Sequence, residues 1–258
     1  MRRAGASKSV IDQVLEELYG YLYDGIPTRN IYKFAFKLLK RHNRPVAARY
    51  SLKQAIMELG PSGYPFEEFL AALLKSQGYS TQTGVILPGA CINHEIDVVA
   101  KKGTESILVE CKYHPVSGSI SNVKIPLYIH SRFRDLQESL PAHPEFSGCT
   151  LHQWIVTNTR FSDDAMAYGR CANLFLLGWD YPSGNSLREM VDDAALYPLT
   201  CLTTLTMHEK KLLLETGKVL CRHLLDHPSL LDKISITSGR KATILKEVEQ
   251  LCQNAVKV

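Results

Sequence analysis

The sequence predicts a three-layer α/β/α core built on a mixed sheet, with a helical segment at each end. Three observations predict it. Apolar residues recur at helical spacing through residues 1–60 and again after 183. Between 61 and 182 the pattern changes to period-two alternation and short continuous apolar runs, the mark of strands. Within that middle stretch the elements follow the order α-β-β-β-α-β-α-β, an antiparallel meander extended by crossover-connected parallel strands.

Each element has its own signal. Ile11, Val14, Leu15, Leu18 and Leu22 form one helical stripe, stopped by Gly25. Thr28 is placed to cap a second helix carrying Ile31, Phe34, Ala35, Leu38 and Leu39. Pro45 opens a third, through Tyr50, Leu52 and Ile56 towards Leu59, and Gly60-Pro61-Ser62-Gly63 is the linker. A helix with Phe66, Phe69, Leu70, Leu73 and Leu74 begins the middle domain and ends at Gly78. Strands are expected near 79–87, 96–100 and 106–112, then a helix around 121–136 and the apolar strand 153–157. Ser162-Asp163-Asp164 begins another helix, and Leu174–Gly178 reads as a final buried strand. After 183, helices are expected near 207–216, 217–226 and 240–252. Three domains are therefore expected: 1–60, 61–182 and 183–258.

Composition narrows the class. With 258 residues, 45% hydrophobic and 22% charged, the chain has enough apolar material for a sizeable core. No apolar run approaches the roughly 20 residues that span a bilayer, and no secretory signal is read at the start, so a cytoplasmic protein without a membrane partner is expected. Seven scattered cysteines without a CxxC pair suggest reduced thiols rather than a zinc site or disulfide framework. Charge is uneven: residues 1–60 carry 11 Lys and Arg against 5 Asp and Glu, while the rest carry 19 against 21. A basic front end suits a polyanion such as nucleotide or nucleic acid, and equally a solvated helix surface.

The chemistry-bearing stretch is Asn93-His94-Glu95-Ile96-Asp97-Val98-Val99-Ala100, a polar turn, then Ile107-Leu108-Val109-Glu110-Cys111-Lys112. A hairpin closed over 102–105 pairs position 101 with 106, and the same register sets Asp97 opposite Glu110. Alternation puts Lys112 on the face of Glu110. Two carboxylates and an ammonium converge at one strand end; the carboxylates repel each other and call for a cation, and hard oxygen donors suit Mg²⁺. Exposed Asp, Glu and Lys are ordinarily just solvated. Here they sit within near-continuous apolar runs, as in strands buried on both faces, where unpaired charge is costly.

An acid followed by Glu-x-Lys at the end of the next strand resembles the PD-(D/E)xK nuclease superfamily. The lead-in Gly63-Tyr64-Pro65-Phe66-Glu67-Glu68-Phe69-Leu70, with Val156-Thr157-Asn158 and Gly178-Trp179-Asp180, is similar to the Mrr-like restriction endonuclease branch. The resemblance covers roughly 63–182 and implies a restriction-endonuclease-like core. It further implies Asp97, Glu110 and the Cys111 carbonyl as ligands of Mg²⁺ or Mn²⁺, Lys112 as the residue orienting or activating water, and Glu67, rather than Glu68, as an accessory acid. Ile96 stands where the superfamily name has Pro. The N-terminal segment, through Arg2-Arg3-Ala4-Gly5-Ala6-Ser7, Tyr19–Gly25, Thr28 and Val46-Ala47-Ala48-Arg49-Tyr50, resembles the helical part of an ATP-cone, a nucleotide-sensing module. That resemblance implies ATP or dATP as effector and Arg2, Arg3 and Arg49 as phosphate contacts. The β-hairpin that opens an ATP-cone has no counterpart here, so nucleotide binding is expected to be weak or absent and these arginines to be surface residues.

Other features carry less. There is no P-loop and no GxGxxG. His94, Glu95 and His114 read as rim residues, Cys111, Trp154 and Trp179 as core. Lys210, Lys211, Lys218 and Arg222 suit phosphates if the tail is a paired-helix DNA binder. The expected activity is a metal-dependent DNA endonuclease, with regulation by nucleotide and dimerisation left open by the sequence. The alternative is a non-cleaving, nucleotide-responsive DNA-binding regulator; a nuclease acting on RNA or branched substrates is a third reading.

Overall fold

A computed structural model of the chain describes residues 1–253. In chain order the N-terminal helices are α1 (Lys8–Tyr19), α2 (Thr28–His42), α3 (Arg44–Tyr50) and α4 (Leu52–Met57). The middle elements are α5 (Tyr64–Ser76), β1 (Ser80–Pro88), β2 (Asn93–Lys102), β3 (Glu105–Lys112), β4 (Ile120–Ser121), α6 (Lys124–Ser139), β5 (Thr150–Thr157), β6 (Arg160–Phe161), α7 (Asp163–Cys171), β7 (Phe175–Leu177) and α8 (Leu187–Ala194). The C-terminal helices are α9 (Met207–Leu214), α10 (His223–Asp226) and α11 (Ser238–Gln253). Two compact units result: 57–194, and the two ends together, 1–56 with 195–258.

The middle unit has the expected mixed sheet, in the order β1-β2-β3-β5-β7. Strands β1, β2 and β3 are antiparallel neighbours, while β5 runs parallel to β3 and β7 parallel to β5. The β2–β3 ladder pairs Lys101 with Ser106 and Val98 with Val109, the register read from the sequence. Its turn uses Gly103 at φ +59°, a backbone that side chains with a Cβ rarely adopt. Helices α5 and α8 cover one side of the sheet, α6 and α7 the other. Val99 and Leu108 face the second side, in one core with Ile129, Phe133 and Leu136 of α6. Alternation from Leu108 places Glu110 and Lys112 on the α6 side, where Arg132 of α6 meets Glu110.

The terminal unit departs from the sequence reading in several places. Thr28 does not cap α2; Pro27 occupies the cap position, with no side-chain hydrogen bond. The third helix is two, because the chain breaks at Ser51, whose N–H turns back to Ala47, Ala48 and Arg49; Asn43 caps its start through the Val46 N–H, at 3.1 Å. Residues 217–226 are helical only at α10, since Gly217 turns at φ +73° and Leu220 bridges Pro198. The two ends, read as separate modules, are joined by polar contacts. Thr200 Oγ1 donates to the Ala55 carbonyl at 2.7 Å, Lys40 Nζ donates to the Thr203 carbonyl at 2.7 Å, and α11 packs on α3. Such pairings lie 145 and 163 residues apart in the chain, beyond the reach of local pattern. Lys210 is likewise committed, donating to the Thr200 carbonyl at 2.5 Å. All seven cysteines are free thiols, and no helix among the described residues is long and apolar enough to cross a membrane.

Candidate active site

The site forms where β2 and β3 part. Asp97 and Glu110 each stand one residue beyond the last ladder pair, Val98↔Val109, and Asp97 Oδ2 accepts the Cys111 N–H at 2.6 Å. The carboxylate thus takes over where the backbone ladder ends. Glu110 Oε2 accepts from Arg132 Nη1 of α6 at 2.7 Å, and Nη2 of the same guanidinium donates to the Glu95 carbonyl. Lys112 is exposed at the strand end. Its carbonyl accepts from Thr157 Oγ1 at 2.8 Å, in line with the β3–β5 pair Lys112↔Thr157. Asn158 holds the next turn from both sides: its Oδ1 accepts the His114 N–H and its Nδ2 donates to the His114 carbonyl, each at 2.8 Å. Thr157 and Asn158 are fully buried, so they fix the chain that carries Lys112.

Helix α5 adds Glu67. Of the two adjacent acids, Glu68 is taken up by Thr83 Oγ1 at 2.7 Å, and Glu67 feels the negative charge of Asp97. The helix is anchored beside the site by Phe66, whose ring lies 5.8 Å from that of Tyr113, and Tyr113 Oη donates to the Met57 carbonyl at 2.6 Å. A Cβ at Gly60 would lie 2.7 Å from Tyr113 Oη, so the linker glycine makes room for this anchor.

The electrostatics are those of crowded carboxylates. Burial, then the charges of Asp97 and Glu95, push the Glu67 carboxyl up to about 7. Burial and Asp97 push Glu110 up to about 7 against the opposing pull of Arg132 and Lys112. Asp97 is raised by burial, with the Cys111 N–H and Arg132 holding it down. The donors are hard oxygens, and a cation shared by Asp97, Glu110 and the Cys111 carbonyl would offset the burial that raises both acids and the charge of Asp97 that raises Glu110, so the residues fit a divalent metal ion. Among the described residues no group of three or more His, Cys, Asp or Glu side chains has metal-holding geometry. Such an ion would therefore rest on two carboxylates and a backbone carbonyl.

A stability consequence follows from these shifts. Glu67 and Glu110 bind their protons more tightly folded than unfolded, where the ordinary value is 4.5. The folded state holds more of these two protons between those values, so their contribution to stability is full below about 4.5 and is lost as pH rises to about 7. We expect the metal-free melting temperature to drop across that window and the Glu110→Gln chain to drop less. A Glu110→Gln melt with the wild-type pH slope would contradict the assignment.

Arg132 is the site residue that sequence reasoning missed. It lies on the polar side of an amphipathic helix, where a charge looks merely solvated. His94 is not a rim residue: it is buried, with Nε2 2.7 Å from Asp135 Oδ2, and Asp135 also accepts the Cys91 N–H at 2.8 Å. Glu95 is exposed, and His114 Nε2 lies 2.9 Å from Ser121 Oγ. Trp179 is core, but Trp154 is only half-buried. Strand β7 covers β5 only from Trp154 to Val156, and Trp154 lines a cavity of about 460 Å³ with His130, Arg134 and His152. In the terminal unit Arg2 and Arg3 are exposed, whereas Arg49 is buried, its Nε donating to the Ala4 carbonyl at 2.9 Å. The expectation of a surface arginine fails there, because α3 turns that side of the helix inward.

Known proteins resemble the chain along most of its length. Residues 60–181 match the Mrr_cat family, described as restriction endonuclease, and residues 197–252 match the family described as AF1548-like, C-terminal. An uncharacterized protein of Archaeoglobus fulgidus is 31% identical over 186 residues, which cover 70% of this chain and 99% of that protein. The crystal structure of AF1548, a protein of unknown function, is 30% identical with a TM-score of 0.60, covering 74% of this chain and 99% of its own. The chain therefore belongs to the AF1548-like family and carries a restriction endonuclease domain.

Proposed function

We propose that the chain is a metal-dependent endonuclease of the Mrr-like type that hydrolyses DNA phosphodiesters. One observation carries the reading: just past the last ladder pair of the β2–β3 hairpin, Asp97 Oδ2 accepts the Cys111 N–H, and the charge of Asp97 bears on both Glu110 and Glu67. A protein using this fold as a scaffold has no need of part-buried acids gathered around Asp97, whose charge raises both Glu67 and Glu110. Asp97, Glu110 and the Cys111 carbonyl would hold Mg²⁺ or Mn²⁺, which would supply positive charge at the phosphate oxygens and acidify water. The chain's own groups do the rest. Lys112 donates hydrogen bonds to the attacking water and to the phosphate as negative charge builds there. Glu67, with a carboxyl near 7, exchanges a proton close to neutral pH. Thr157 and Asn158 keep Lys112 in place, and Arg132 sets the direction of Glu110.

Regulation by nucleotide is the second reading. Arg49 Nη1 is buried and has no hydrogen-bond partner, an orphaned donor suited to an anion such as the phosphate of ATP or dATP. A plasmid assay tests both. Wild-type protein with Mg²⁺ or Mn²⁺ is expected to nick methylated or unmethylated plasmid, Asp97→Asn to leave it intact, and ATP to alter the wild-type rate. No cutting under any of these conditions would favour the non-cleaving regulator. Cutting that ATP leaves unchanged would remove nucleotide from the account.

A further inference from the structure

The two units carry opposite charge. Residues 57–194 hold 10 Lys and Arg against 16 Asp and Glu, whereas residues 1–56 and 195–258 hold 20 against 10. A polyanion is repelled by the net charge of the first and attracted by that of the second. Within the second, residues 28–57 contain no acidic residue. Arg29, Lys33 and Lys37 stand four apart on α2, all exposed, so they line one side of the helix about 6 Å from one to the next.

The fold gives this row nothing to neutralise it. Arg41 pairs with Glu17 at 3.2 Å, Lys40 donates to the Thr203 carbonyl and Arg49 to that of Ala4. Arg29, Lys33 and Lys37 make no side-chain hydrogen bond or ion pair among the described residues. Like charges four apart on a helix repel. Arg29 is also in the first turn, where the helix dipole disfavours a cation and no acid is present. Lys40, Arg41 and His42 in the last turn are rewarded by that dipole; the three residues of the row are not. Exposed Tyr19 and Tyr23 lie in the segment before α2, and Tyr21 stacks on Phe34 at 4.1 Å, which brings that segment against the helix beside Lys33.

We infer that this side of α2 is a DNA-backbone contact, and that the terminal unit supplies affinity which the acidic restriction endonuclease domain lacks. The inference rests on the nuclease reading for the choice of DNA as the polyanion. Successive cations along the row reach successive phosphates of one strand, a sequence-independent grip that grows weaker with salt.

The test measures binding apart from cleavage. A fluorescein-labelled duplex is titrated with full chain in chelator, at salt from about 50 to 200 mM. The Arg29→Gln/Lys33→Gln/Lys37→Gln chain is expected to bind roughly tenfold or more weakly, its log–log salt slope reduced by about 0.9 for each phosphate no longer neutralised. An unchanged melting temperature shows it is folded, and Lys33→Arg/Lys37→Arg is expected to keep wild-type affinity. With metal, the triple variant should show a raised KM and an unaltered kcat. Unchanged duplex affinity and salt slope would overturn the inference, as would a loss confined to anionic vesicles or to RNA. A wild-type chain that binds duplex through this row but never cuts it would fail the nuclease reading and leave the inference standing.

Discussion

The Lys112→Ala chain is expected to bind DNA with nearly wild-type affinity and to cleave it at least about 10²-fold more slowly, the usual scale for removing one transition-state donor. The side chain is exposed and contributes nothing to the core, while its backbone is held by Thr157 whatever the side chain. Folding should therefore survive the change. Affinity should survive too, because one cation among many phosphate contacts carries a small share. The missing interaction is with water and with charge that develops only during the reaction, so kcat falls and KM stays. Single-turnover cleavage beside anisotropy binding is the measurement. Cleavage kept within a few-fold would remove Lys112 from the chemistry.

The second large effect is on stability. Glu247 of α11 is 2% exposed and accepts four hydrogen bonds. Oε1 takes the Thr203 N–H at 2.9 Å and its hydroxyl at 2.7 Å; Oε2 takes the Thr204 N–H at 3.0 Å and its hydroxyl at 2.6 Å. One carboxylate thus fixes the start of the segment that leads into α9. Glu247→Ala strands two backbone donors that water reaches poorly, and leaves a void. A loss of about 3–5 kcal/mol is expected for the terminal unit. Glu247→Gln keeps the volume and one acceptor, so its loss should be smaller. Urea unfolding followed on both variants checks the order, and an alanine variant as stable as wild type would show that the four bonds add nothing net.

The middle domain was legible because its signals are local. Period-two alternation and a short turn at Gly103 fix the β2–β3 register, from Lys102 on Glu105 to Val98 on Val109. Ser162 before Asp163-Asp164 marks the start of α7, where its hydroxyl accepts the Ala165 N–H. What stayed hidden is non-local. Arg132 reaches Glu110 across 22 residues, and Asn158 braces His114 across 44. Each looks ordinary in its own segment. Trp154 reads as core because an apolar strand implies two covered faces, yet it is only half-buried, beside the cavity it lines. The union of both chain ends depends on pairings such as Lys40 with Thr203, which no window of sequence contains.

That union has a consequence for synthesis. The restriction endonuclease unit is contiguous over 57–194, whereas the basic unit begins at residue 1 and is finished only by α11. A ribosome adding about 5–20 residues per second leaves the first helices waiting roughly 10–40 s for their partners. Throughout that wait the nuclease core can close on itself. A message cut short after residue 194 would thus carry the whole of the 57–194 unit, with the basic unit unfinished. The order of translation places the proposed cutting unit before the basic unit is complete.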